Sequence, residues 1–224
     1  MSFVVFAVPT IGRPSLRAAL ESVVQQPDPD WRVLVAGDGF LPQIPLEHEA
    51  IEAIEAPATQ SAGLTRNAIL ALTVGSADEW VAFLDDDDCL APHYVAQLRM
   101  DGDVDCVVFR MHHPRLGVLP SYTAPNLAWG GVGISYAVRR AFLVKHELRF
   151  IREENPDDPA GAPGRPERAR NEDVTFLQQI LYRGGRVRIS EYLGYLVGEA
   201  VRIECNRRGH ELVGSACACG ANHL

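Results

Sequence analysis

The chain has 224 residues, 47% of them hydrophobic and 22% charged, with a formal net charge of −8. That length and balance suit one globular domain with a sizeable core, and no apolar run approaches the length that spans a bilayer. The acidic balance argues against a surface that coats nucleic acid, although it leaves room for a local basic groove.

Residues 3–8 (FVVFAV) form a short apolar, β-branched run ended by Pro9, which predicts a fully buried strand. The opening stretch MSFVVFAVPT has no basic leader region and no small-residue cleavage site, so it reads as a strand rather than a signal peptide. A cytoplasmic setting is therefore expected, in which the five cysteines stay reduced. Leu16, Ala19, Leu20 and Val23 recur at helical spacing and predict a helix over 14–24, with Pro14 in its first turn. A second strand follows over 31–36, closed by Gly37-Asp38-Gly39, and a third over 51–56. A helix over 64–72, a strand over 80–84, a helix over 92–100 and a strand over 104–111 continue the alternation.

The second half is less regular. Residues 126–133 form a Gly/Trp-bearing loop, and 134–138 read as a strand leading into a helix from Arg139. Residues 153–170 are rich in Pro, Gly and charge without periodicity, which predicts a mobile loop. Asn171-Glu172-Asp173 then opens a helix carrying Val174, Leu177, Ile180 and Leu181 on its apolar side.

Strands alternating with helices imply an α/β fold with a largely parallel sheet, and such sheets bind ligands at the carboxyl ends of their strands. Thr10-Ile11-Gly12-Arg13, Asp38 and the run Asp85-Asp86-Asp87-Asp88 all fall at such ends. Four adjacent carboxylates repel one another unless a cation or water relieves them. Two readings follow: the acids hold a hard divalent ion together with phosphates, or they form a solvated acidic loop.

Six stretches bear on that choice: VPTIGRPSLRAALESVV, VLVAGDGF, SAGLTRNAIL, WVAFLDDDDCLAP, GVGISYAVRRAFL and NEDVTFLQQIL. Their order and spacing over residues 3–185 resemble the inverting family 2 glycosyltransferases. The resemblance implies a single GT-A domain over 1–200, α/β, with a central, mostly parallel mixed sheet flanked by helices. Within it, 1–111 would be the nucleotide-binding half and 112–200 the acceptor-side half, and the tail 201–224 would help complete a metal site.

Carried over by position, the resemblance places Pro9, Thr10, Arg13, Asp38, Arg66 and Asn67 beside a nucleotide-sugar donor, most simply a UDP-sugar. The family often has two acids where this chain has Gly37-Asp38. Asp85-Asp86-Asp87 reads as the D-x-D motif: Asp85 and Asp86 would meet the donor and Asp87 or Asp88 a divalent cation, Mn2+ or Mg2+, although a run of four acids leaves the division among them open. Asp173 resembles the family's catalytic base, which takes a proton from the acceptor hydroxyl as it attacks. Plain capping of a helix N-terminus also accounts for Glu172-Asp173.

Trp129, Gly130, Gly131 and Glu172 fall where the family shapes its sugar or acceptor pocket, although Trp129 reads equally well as a core residue. Arg139 and Arg140 read as solvated surface, and His112 and His113 carry no expected role. His210, in Arg207-Arg208-Gly209-His210, matches a late histidine that many members place on the metal. The tail Cys205…Cys217-Ala218-Cys219…His223 offers zinc ligands, but its spacing is not a pair of C-x-x-C knuckles, and reduced thiols are the preferred reading. The acceptor stays open between a small molecule, a glycan, a protein and a nucleic-acid base. A sugar-phosphate nucleotidyltransferase is the runner-up, weakened because VPTIGRPSL lacks that class's glycine-rich loop, and a non-catalytic nucleotide-sugar-binding module is the third reading.

Overall fold

A computed structural model describes residues 3–73, 79–101, 103–128, 130–151 and 172–208, with the backbone of two short strands, Leu212–Val213 and Ala216–Cys217. Trp129, the 153–170 segment, His210, Cys219 and His223 lie outside the described residues, and so does the Cys217 side chain.

Strand β1 (Val4–Thr10) is buried at every position. It lies between two parallel neighbours, which is why its apolar run is continuous rather than alternating. On one side β2 (Trp31–Asp38) pairs from Val4↔Trp31 to Thr10↔Gly37; on the other β4 (Trp80–Phe83) pairs from Val4↔Trp80 to Ala7↔Phe83. Strand β3 (Ile51–Ala56) pairs parallel to β2 at the edge, with Glu52 and Glu55 exposed. Charges on an edge strand discourage further pairing.

The order β3-β2-β1-β4 reverses direction between β1 and β4. At such a reversal the following loops diverge and leave a crevice at the carboxyl ends. The sheet continues through β8 (Tyr136–Arg139), antiparallel to β4, and then β6 (Cys106–His113), antiparallel to β8. Next come β9 (Val187–Leu196), parallel to β6, and the short β5 (Cys89–Leu90), antiparallel to β9; β7 (Gly117–Leu119) folds back on β6. One sheet therefore runs through both expected halves of the chain.

Helix α1 (Leu16–Val24) buries Leu16, Ala19, Leu20 and Val23, and α2 (Ala62–Leu72) is capped by Ser61, whose Oγ accepts the Leu64 N–H at 3.2 Å. α3 (Tyr94–Met100) and α4 (Arg140–Lys145) are short, and α5 (Glu172–Tyr182) buries Val174, Phe176, Leu177 and Ile180. The start of the expected tail is instead ordered: α6 (Glu199–Arg207) lies against α1, buries Ala200, Val201 and Cys205, and pairs Arg207 with Glu21. No helix among the described residues is long and apolar enough to cross a membrane.

Phe83, Tyr136, Phe150 and Phe176 form a connected aromatic cluster, with Phe150 and Phe176 stacked at 4.1 Å between centroids. It joins β4, β8 and α5, so the acid turn after β4 and the start of α5 share one rigid support.

Candidate active site

The end of β2 and the loops after β1, β3 and β4 surround a cleft of about 530 Å³, lined among others by Pro9, Thr10, Arg13, Asp38, Gln60, Asp85, Asp86 and Asp87. The four acids of the turn are not equivalent. Asp86 is buried and ties the turn to the β1 loop. It accepts from Thr10 Oγ1 at 2.6 Å, the Ile11 N–H at 3.4 Å and Arg13 Nη1 at 2.9 Å. Arg13 Nη1 also reaches Asp87 Oδ2 at 2.7 Å. The other three acids, Asp85, Asp87 and Asp88, bring carboxylate oxygens within 4.8 Å of one another. Asp85 thus joins the gathered set from which the sequence reading left it out, and Asp86 is engaged elsewhere.

Beside the acid turn stands Arg66, 2% exposed, which pairs with Asp85 and with Asp173 Oδ1 at 3.3 Å. Its guanidinium carbon lies 5.3 Å from the centre of the Phe150 ring. Asp173 is itself about a quarter exposed (27%), and its backbone carbonyl accepts from Tyr136 Oη at 3.0 Å. A single buried cation therefore links the acid turn to the first turn of α5.

The remaining expected residues hold this arrangement in place. Asp38 accepts from the Thr59 N–H at 2.5 Å and the Gln60 N–H at 2.7 Å, so it clamps the loop after β3 while lining the cleft. Glu172 does not open toward the cleft. Its carboxylate accepts from Ser61 Oγ at 2.5 Å and the Gly63 N–H at 2.7 Å, which fastens α5 to the start of α2. Gly63 leaves room for this contact, because a Cβ would stand 2.3 Å from Glu172 Oε2 and push that carboxylate away. Asn67 is also turned away from the donor side: its amide donates to the Phe150 carbonyl and accepts the Phe150 N–H, both at 2.8 Å.

Gly131 is explained by its own loop, since a Cβ would meet the Asn126 carbonyl at 2.4 Å; Gly130 has a φ of +76° and open space around it. Neither glycine lines the cleft. Arg139 and Arg140 are packed rather than merely solvated. The Arg139 guanidinium lies 4.3 Å from the Trp80 ring centre, and Arg140 Nε donates to the Thr73 carbonyl at 2.6 Å. Two residues with no signal in the sequence complete the site. Tyr195 Oη accepts the Asp85 N–H at 3.1 Å, and the Gly198 N–H donates to Asp88 Oδ1 at 2.7 Å.

A sequence model described as glycosyl transferase family 2 matches residues 5–141, more than half of the chain and the whole of the cleft from β1 to β8. The chain belongs to glycosyl transferase family 2. Solved structures agree on the fold. TarS 1–349 from S. aureus aligns with a TM-score of 0.62 at 17% identity, over 92% of this chain and 65% of that one. Its complex with UDP-GlcNAc aligns at 0.61 over 88% and 58%, also at 17% identity. The mannosyltransferase PcManGT from Pyrobaculum calidifontis, in complex with GDP-Man and Mn2+, aligns at 0.58 and 18% identity, over 90% and 60%. This chain thus spans less than two thirds of these relatives' length. Nothing matches among curated proteins. The expected GT-A architecture is confirmed, and the expectation of a transferase is met at the level of the family.

In this family 2 chain the acids carry unusual protonation energetics. Burial, then the neighbouring Asp85, pushes Asp87 up to about 6 against the pull of Arg13. Asp88 is driven well above the usual carboxylate range by burial, Asp87 and Asp85, with the Gly198 N–H and Tyr195 opposing. Burial likewise pushes Asp173 up to about 6, with Arg66 holding it down and Asp85 and Glu172 adding to the rise. For Arg66, burial works against the charge, yet Asp85 and Asp173 keep its pKa above the ordinary value. Crowded carboxylates that resist ionisation gain most from a bound cation. Three oxygen donors from Asp85, Asp87 and Asp88 fit a hard divalent ion, which takes carboxylate oxygens by preference.

Proposed function

We propose that the chain transfers a sugar from a nucleotide-diphosphate donor to an acceptor hydroxyl, with inversion at the anomeric carbon, and that Asp173 is the catalytic base. One observation carries the reading: Arg66 bridges Asp85 and Asp173, which sets a base beside the acids of a metal–diphosphate site. TarS and PcManGT, crystallised with UDP-GlcNAc and with GDP-Man and Mn2+, support a nucleotide-sugar donor; a UDP-sugar is the first candidate.

In this reading Asp85, Asp87 and Asp88 would hold a divalent cation, Mn2+ or Mg2+, and a cation bound there would supply positive charge to the leaving diphosphate. Arg13 and Thr10 face the donor from the β1 loop, and Asp38 fixes the loop beside the nucleotide. Asp173 accepts the acceptor's O–H proton while that oxygen bonds to the anomeric carbon. The bond from that carbon to the diphosphate oxygen breaks, and the electron pair leaves with the nucleotide. A base near 6 is deprotonated at neutral pH and still basic enough to receive the proton.

The test is thermal shift with UDP and Mn2+, followed by transfer assays on a panel of donors and acceptors. Saturating ligand should raise Tm by mass action. Asp173→Asn should retain the shift and lose transfer, and a variant that keeps full turnover would overturn the base assignment. Release of free sugar without any acceptor in the wild type would already separate an enzyme from a passive binder.

A further inference from the structure

The acid turn is held from behind by a part of the chain that no sequence motif marks. Tyr195 is 1% exposed and sits in β9, paired to Met111 of β6 on one side and Leu90 of β5 on the other. Between β6 and β9 the register slips twice. Val108 pairs with Ile189, Arg110 with Leu193 and Met111 with Tyr195, so β9 gains residues relative to its partner. Bulges of this kind re-aim a side chain and recur beside active sites. Gly194 makes the close approach feasible, since a Cβ there would meet Phe109 Cδ1 at 2.6 Å.

The Tyr195 hydroxyl accepts the Asp85 N–H at 3.1 Å, which ties the first acid of the turn to β9. Asp88 Oδ1 also accepts the Gly198 N–H at 2.7 Å, at the residue where α6 begins. The first and last acids of the turn are therefore both held by one segment, Asp85 by Tyr195 in β9 and Asp88 by Gly198 just after it. Held in this way, the oxygens of Asp85, Asp87 and Asp88 stand within 4.8 Å of one another.

We propose that Tyr195 is a positioning residue of the metal site: its buried hydroxyl, aimed by the bulge in β9, sets the spacing of the carboxylates that receive the divalent cation. The inference rests on the metal-dependent reading above and deepens it. Partners that orient metal ligands without touching the ion typically change affinity by about 10- to 100-fold when removed.

The experiment is Mn2+ titration followed by electron paramagnetic resonance, with and without UDP, on three folded proteins: wild type, Tyr195→Phe and Tyr94→Phe. Tyr94 is a matched control, fully buried with its ring tilted against Phe109 at 4.0 Å between centroids, and its hydroxyl has no hydrogen-bond partner. Tyr195→Phe should weaken Mn2+ binding about tenfold or more, while Tyr94→Phe leaves it unchanged. In the background of Asp85→Asn, the Tyr195→Phe effect should shrink, because the hydroxyl acts by placing Asp85. Wild-type affinity in Tyr195→Phe, or an equal loss in both tyrosine variants, would overturn the proposal. Absence of Mn2+ binding in the wild type, with and without UDP, would instead sink the metal-dependent reading itself, so the two failures are distinguishable.

Discussion

Two arginines meet the acid turn from opposite sides, and they are built differently. Arg66 is 2% exposed, spans Asp85 and Asp173, and lies over Phe150. Arg13 has a side chain 44% exposed, on the loop after β1, and pairs with Asp86 and Asp87. In the drier setting of Arg66 its charge interactions are strong, and removal of one partner strands the others. Water screens the pairs of Arg13, so they form and break at little cost. One cation is part of the fold; the other is a counter-ion suited to being exchanged.

The largest effect that sharpens this contrast is Arg66→Met. The substitution keeps much of the side chain's length but leaves Asp85 and Asp173 facing each other unpaired. Breaking a buried pair in this way costs about 3–5 kcal/mol. In a chain of this size Tm should fall on the order of 10 °C, as read by calorimetry. A fall no larger than that of a surface substitution would erase the distinction between the two arginines.

Transfer should next depend on pH through Asp173. Its carboxyl is pushed up to about 6, chiefly by burial, with Arg66 as the restraining charge. The base works only when ionised, so kcat/KM should climb about tenfold per pH unit below that value and level off above it. Arg13 is not among the groups that set this pKa. Arg13→Ala should therefore lower the rate without moving the midpoint. A shifted midpoint in that variant would mean that the two sides of the turn are electrostatically joined.

The two halves of the sheet differ in how far the sequence announces them. β1, β2 and β4 were legible because parallel burial demands continuous apolar runs, and Asp38 and the acid turn stand at the ends of β2 and β4, where the fold gathers its loops. β9 was not legible. Arg188, Glu191 and Gly194 interrupt its apolar residues, and a bulge breaks the alternation that would have revealed a strand. α6 was hidden because its low apolar content reads as tail, and only docking on α1 makes it a helix. The same blindness applied to roles. Asn67 and Glu172 were read as facing ligand, yet local pairing with Phe150, Ser61 and Gly63 consumes their side chains, and no spacing rule exposes such pairing.

The smallest expected effect tests the exchangeable arginine directly. Arg13 Nη1 occupies Asp87 Oδ2, one of the acids assigned to the cation, so metal binding has to displace it or share the carboxylate. Without nucleotide, Arg13→Ala should bind Mn2+ more tightly, though by no more than about fivefold, because half-exposed pairs contribute little. With UDP present the sign should reverse. A guanidinium released from Asp87 is free to meet the diphosphate, and its loss then weakens the ternary complex. Calorimetric titration in the two conditions gives both numbers. Opposite signs would identify Arg13 as a counter-ion passed from protein to donor, whereas weaker Mn2+ binding in both would make it a structural clamp like Arg66.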